Sequence, residues 1–436
     1  MAHRLRYKNI LVLGFTIFSL FMGVGNIIFP PMIGLQSGEK TLIAASGFLI
    51  TAVGLPIITI ITLATVGGRI EQLTAPIGKH AGFLLAVIAH LFVGPLFATP
   101  RATAVFYELG ITPILGETSF TSLFIYNIIY FSIVIVISLY LDRLINGVGY
   151  ILAATKMIAL FSLGISALLW PAGEPIIFQT SYSDVFFSNV FINGFINGYL
   201  TVDALGAMVF GIVIINVARA RGIKNSILLS YYTVWGGLIA GILLILIYIL
   251  LFKLGENSGT LLPDARNGAD ILKAYVQHTF GNYGSFFLCV LIFIASIITS
   301  VGLNSACANF FTPYLPISYN KLVWIFGIFS IFIANLGLSK LIKFSVPILI
   351  AIYPPCIILI IMSFILKYWK CSPRLVAPTM LISLLFGLFD VMKHSDVLKK
   401  FIPDIAKKLP LYDYNLTWIV PSLIIFIFYS LYYNKT

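Results

Sequence analysis

Two stretches of this chain carry hydrogen-bonding groups where an uninterrupted apolar helix would need none. The first is Gly23-Val24-Gly25-Asn26, followed by Pro30-Pro31. Glycine has no β-carbon, so the main-chain carbonyls and amides beside it are open to approach. Asn26 adds both a donor and an acceptor. The second stretch runs from Asn193 to Gly206 and holds Asn193-Gly194, Asn197-Gly198-Tyr199 and Asp203. Asn-Gly is a turn dipeptide, so both stretches read as breaks in a helix. For the first, a small-residue helix contact ending in proline is the competing reading. Freed carbonyls at such breaks suit an ammonium or a metal cation, and half-helix amino termini suit a carboxylate. A small zwitterion such as an amino acid presents both.

A third group of polar residues is Ser296, Thr299 and Ser300, which share one helix face by i, i+3, i+4 spacing. Their oxygens are hard donors suited to Na⁺, although membrane Ser and Thr commonly bond back to their own helix. Ionisable residues inside apolar runs mark functional sites by default, and Arg101, Lys156 and Asp203 are the clear cases. Asp203 is placed to neutralise either base, so an internal ion pair competes with a direct role. His90 reads as a proton relay or, more simply, as a hydrogen-bonded structural histidine, and Asp390 lies near a helix end. An intramembrane aspartyl protease needs two carboxylates brought together. Asp203 has no evident intramembrane partner and no H-E-x-x-H motif is present, so the sequence argues against an enzyme. Cys289, Cys307, Cys356 and Cys371 show neither metal-ligand spacing nor a disulfide framework.

The elements that hold these residues follow from composition. Of 436 residues, 60% are hydrophobic and 10% charged, against roughly 25% charged in a soluble domain. No water-facing globular surface can be built from that. Continuous apolar runs exclude open sheet in lipid and the alternating strands of a barrel. The fold class is therefore an all-α polytopic membrane protein with about 12 transmembrane helices of ~20 residues. The expected spans are 10–34, 41–66, 80–106, 120–140, 148–170, 190–216, 228–252, 284–311, 321–337, 341–366, 375–390 and 414–433. The run after the basic Met1–Lys8 start is too long for a signal peptide and reads as the first span. The breaks fall in spans one and six, which open two groups of five. Paired interruptions at matching places indicate a five-plus-five inverted repeat with a mid-membrane site, 10–170 and 190–366, followed by two additional helices in 375–433. No stretch of 1–436 is long enough for a separate extramembrane domain.

The net charge is +12. The basic residues flank apolar runs, where they set orientation and meet anionic lipid rather than nucleic acid. Arg4, Arg6, Lys8, Arg69, Lys79, Arg143, Arg219, Arg221, Lys224, Lys321, Lys367, Lys370 and Arg374 fall on one side; Glu108, Glu117, Glu174 and Asp184 fall on the other. Both termini are expected in the cytoplasm, with the Lys-rich 391–413 segment as an exception to the rule. Nothing in the pattern specifies an oligomeric state.

The strings GFTIFSLFMGVGNIIFPPMIG, VGPLFATPRATAVFYE and NGYLTVDALGAMVFGIVI, continuing through AYVQHTF, NLGLSK and SVPILIAIYPPC, resemble the bacterial branched-chain amino acid carrier family across essentially the whole chain. The resemblance implies uptake of leucine, isoleucine and valine across the bacterial cytoplasmic membrane, coupled to Na⁺ or H⁺, with no other cofactor. By further similarity to transporters with broken first and sixth helices, Gly23, Val24, Gly25 and Asn26 meet the substrate, together with Asn197 and Gly198. An apolar pocket wall is expected from Phe21, Phe97 and Tyr199. The same similarity places a sodium ion among the carbonyls of Ser19, Met22 and Ser296 and the hydroxyls of Thr299 and Ser300. One departure stands out: after Pro100-Arg101 the chain reads Ala102-Thr103-Ala104-Val105-Phe106, where the family pattern is near T-A-T-V-S, a difference that bears on affinity or on the coupling ion.

Overall fold

The computed structural model describes residues 7–68, 70–116, 119–140, 150–176, 184–220, 223, 226–368, 373–393, 400, 402, 404 and 409–433. Among them, helices occupy every expected span. Span one is split into Tyr7–Phe21 and Val24–Ser37; span two covers 41–65; span three is Lys79–Ile111; spans four and five are Phe120–Leu139 and Tyr150–Leu169. Span six is split into Asp184–Tyr199 and Asp203–Ala220, and span seven is Ser226–Glu256. Spans nine to twelve are Tyr319–Ala334, Leu338–Tyr368, Val376–Met392 and Ile419–Tyr433. Helix is the natural outcome where no water can satisfy a peptide group, because every bond closes within the segment. Arg4, Arg6, Arg69, Glu117, Arg143, Arg221, Lys224, Lys370 and Cys371, all used above, lie outside the described residues.

Span eight starts earlier than its hydropathy indicates. The helix runs Gly268–Phe311 and bends at Gly281, whose φ of 62° lies in the left-handed region open to glycine. The stretch before Gly281 is polar enough to sit outside the bilayer core, which is why an apolar window finds only the part after it. Span three also departs from a straight rod, with a π-helical turn at Phe92–Leu96 and a kink at Gly94 beside Pro95. Such turns free or redirect single main-chain groups, and this one lies one to two turns before Arg101.

The split spans form the centre. Span seven packs against both halves of span one, span eight against span three, and both halves of span six against span two. Asn193-Gly194 and Asn197-Gly198 lie within continuous helix, which corrects their reading as turn residues. Gly194 and Gly198 are spaced i, i+4 and press on span two: a β-carbon there would come within 1.9 Å of the Ala44 carbonyl and 1.8 Å of Thr51 Oγ1. The pairs make a small-residue helix contact. Large exposed apolar side chains on span four (Ile125, Ile129) and span nine (Trp324, Phe332) face outward, where lipid belongs.

Candidate functional site

The first break is made of Met22 and Gly23, with Gly23 extended at φ −78°, ψ 172°. The half Tyr7–Phe21 ends there, so its last carbonyls lose their helical partners. Lys156 of span five, fully buried, donates its Nζ hydrogens to the carbonyls of Ser19 at 2.8 Å and Met22 at 2.9 Å. The Phe21 carbonyl accepts from Asn26 Nδ2 at 2.7 Å. A buried carbonyl left unbonded costs ~1–3 kcal/mol, so these side chains are what make the interruption tolerable.

The second break falls at Leu200, Thr201 and Val202, after the Asn-Gly pairs. Val202 has φ 68°, a left-handed conformation that is strained for a β-branched residue. Arg101 of span three donates from Nη1 to the Leu200 carbonyl and from Nη2 to that of Thr201, the latter at 3.1 Å. Its guanidinium lies 4.6 Å from the ring centre of Phe97 and 5.6 Å from that of Phe29. Asp203 opens the second half of span six, where a carboxylate is favoured by the helix dipole. It accepts from Asn26 Nδ2 at 2.6 Å and from the Tyr248 hydroxyl at 3.4 Å. Asn26 therefore ties the two breaks together.

Between the breaks lies a cavity of about 40 Å³, lined by Phe21, Gly23, Val24, Gly25, Asn26, Arg101, Asp203 and Thr299. At ~10–15 Å³ per water this volume holds a few waters and no amino acid, so a substrate requires the site to open. Phe97 lies under Arg101, outside the cavity lining. Asn197 bonds Asn193 on its own helix, Gly198 packs on span two, and Tyr199 stacks on Tyr353 at 4.8 Å. None of these three lines the cavity, because the break comes after them. Of the five groups expected around a cation, the Ser19 and Met22 carbonyls are bonded to Lys156. The Ser300 hydroxyl pairs with Tyr130 at 2.9 Å and that of Thr299 bonds back to the Ala295 carbonyl; the Ser296 carbonyl lies within continuous helix, its own hydroxyl bonding back to Phe293. Among the described residues Asp203 forms no ion pair with Arg101 or Lys156, correcting the paired reading.

Several lining residues escaped the sequence reading. Gly206 and Phe210 follow Asp203 on one helical face, and Leu303 lies one turn beyond Thr299; the i, i+3, i+4, i+7 spacing would have found them. Tyr248 of span seven, which meets Asn26 and Asp203 without lining the cavity, had no such signal. Two residues are structural as the simpler readings had it. His90 bonds the Ala86 carbonyl at 2.8 Å and stacks on Phe310, while Asp390 is bridged by Lys393 at 2.6 Å and accepts the Thr417 amide.

Split spans one and six around a small cavity give this chain a helical multi-pass membrane architecture, and a solved protein shares the fold. A nucleobase-cation-symport-1 family transporter, in a closed conformation with bromovinylhydantoin bound, superposes with a TM-score of 0.57 at 14% identity, covering 94% of this chain and 96% of the other. The fold is thus the all-α, five-plus-five arrangement of the amino acid transporter-like class. Over residues 6–436 the chain matches the family described as branched-chain amino acid transport protein, and it belongs to that family. It is 53% identical over 424 residues to the branched-chain amino acid permease BrnQ of Escherichia coli (strain K12), covering 97% of this chain and 95% of that one. It is 50% identical to the branched-chain amino acid transport system 3 carrier protein of Pseudomonas aeruginosa over 419 residues, covering 96% and 94%. The protein is a transporter rather than an enzyme.

Proposed function

We propose that this transporter is a secondary symporter that imports leucine, isoleucine and valine with Na⁺ or H⁺ by alternating access, with both termini in the cytoplasm of a bacterial cell. The observation that carries the reading is the meeting of two helix breaks at one cavity, bridged by Asn26 and Asp203. The amino terminus of the half Val24–Ser37 and the unused donors of Arg101 supply positive potential for the substrate carboxylate. Asp203 supplies the anion for its ammonium. Phe21, Val93, Phe210 and Leu303 offer the apolar side on which a branched side chain is selected by fit. With the amino terminus inside, a second cavity of about 500 Å³, lined by Tyr107, Glu108, Arg266, Asp270 and Lys273, faces outward and forms the approach.

Apolar pockets separate substrates differing by one methylene by only about 1–3 kcal/mol. Leucine, isoleucine and valine are therefore expected to compete for one site. Uptake of radiolabelled leucine into vesicles, driven by Na⁺ and pH gradients imposed separately, tests substrate and coupling ion together. Entry that ignores excess isoleucine and valine but yields to other neutral amino acids would make this a carrier of the same fold for a different class.

A further inference from the structure

Span five brings one charged side chain into the core, and its position bears on which cation the first break holds. Lys156 is fully buried and its ammonium sits within 3 Å of the Ser19 and Met22 carbonyls. Those carbonyls belong to the carboxyl end of the half Tyr7–Phe21, the negative pole of its dipole. They are also two of the five groups that similarity to sodium-coupled transporters assigns to a metal ion. Among the described residues Lys156 is in no salt bridge, so main-chain dipoles alone hold its charge. The two hydroxyls of that set already have partners, Ser300 in Tyr130 of span four and Thr299 in the Ala295 carbonyl. Thr299 also faces Gly23, where a β-carbon would lie 3.5 Å from its Oγ1.

Taken together, the geometry assigns Lys156 the part of a tethered cation: its ammonium occupies the carbonyl site of the first break and excludes a metal ion from it. A sodium ion sharing those carbonyls would sit against a buried positive charge with no carboxylate bonded to it, an arrangement electrostatics disfavours strongly. The two carbonyls are three residues apart and converge on one point, which fits the compact ammonium of lysine. The proposal rests on the transport reading for the identity of the site, and it holds whichever ion drives uptake: a coupling sodium, where there is one, binds elsewhere.

Cation binding is read separately from transport, as the shift in unfolding midpoint of the detergent-purified protein in NaCl against choline chloride at equal ionic strength. With Lys156 in place, Thr299→Ala should leave the half-saturating Na⁺ concentration within about twofold of the parent. Lys156→Ala and Lys156→Met should each gain a Na⁺-specific stabilisation, and adding Thr299→Ala should remove it. The proposal is overturned if Thr299→Ala alone raises half-saturating Na⁺ about fivefold or more. It is equally overturned if the Lys156 variants fold yet gain no Thr299-sensitive response. Where both Lys156 variants fail to fold, the Thr299→Ala arm decides. Failure of the parent protein to accumulate leucine would sink the carrier reading and leave this measurement standing.

Discussion

The two breaks solve one problem with different chemistry. Each leaves main-chain carbonyls without helical partners inside the bilayer, and each is closed by a buried base from another span of the first repeat. At the first break the carbonyls belong to Ser19 and Met22, one turn apart, and a point charge reaches both. At the second they belong to adjacent residues, Leu200 and Thr201, and the planar fork of arginine spans them. The flanking residues differ as well. Gly23 and Gly25 let other spans approach the first break, whereas the second contains no glycine and forces Val202 to φ 68°. One break is written into local composition; the other is imposed by tertiary contact.

The largest effect is expected where that imposed contact is removed. Arg101→Ala strands two buried carbonyls at ~1–3 kcal/mol each, about 2–6 kcal/mol in all, and should abolish leucine accumulation. Arg101→Lys keeps the charge but loses the fork, so transport should still fall roughly tenfold or more. Unfolding in detergent and uptake in vesicles, measured side by side, check both. Wild-type uptake in Arg101→Lys would mean that charge, not geometry, closes the second break.

Asp203→Asn comes next. Asn26 and Tyr248 retain an oxygen to donate to, so the fold should hold, while the anion proposed for the substrate ammonium is gone. A hydrogen bond to a charged group is worth about 1.5–3 kcal/mol, so leucine binding should weaken roughly 10- to 150-fold. The parent should prefer leucine over its des-amino analogue, 4-methylpentanoate, and the variant should lose most of that preference. An unchanged preference would remove Asp203 from ammonium recognition and leave it as the tie between breaks.

The difference between the breaks also explains what could be read from the residues alone. Span positions, the all-helical class and the first break were legible because hydropathy and glycine act locally. The second break was placed a few residues early, at Asn197-Gly198, because Asn-Gly looks like a turn and its real use is contact with span two. Nothing local marks Leu200-Thr201-Val202 as interrupted, since the arginine that opens it is about 100 residues away. Lys156 was visible as an unusual charge, yet its meeting with Ser19 and Met22 is a product of packing across 137 and 134 residues.

Glycine substitution sharpens the contrast within the first break. A β-carbon on Gly25 would lie 2.5 Å from Arg101 Nη2, whereas one on Gly23 would make an ordinary 3.5 Å contact with Thr299. Gly23 also has a φ that any residue adopts. Gly25→Ala should therefore displace the guanidinium and cost about 1–3 kcal/mol by overpacking, with uptake falling steeply. Gly23→Ala should stay within about 0.5 kcal/mol of the parent, in the range of ordinary tolerated substitutions. Equal effects at both positions would mean that they serve the substrate alike and not through Arg101.

The smallest expected effect is a gain. Val202 holds a left-handed conformation that costs on the order of 1–3 kcal/mol in a non-glycine residue. Val202→Gly relieves that strain and gives back about 0.5–1 kcal/mol in unfolded-chain entropy. Net stabilisation of about 1 kcal/mol follows, readable as a rise in unfolding midpoint. The carbonyls that Arg101 grips belong to residues 200 and 201, so the break itself should survive the change. A destabilised Val202→Gly protein would show that the Val202 side chain, buried in the cavity wall, contributes more by packing than its backbone loses by strain, and that the second break, like the first, is held by side chains alone.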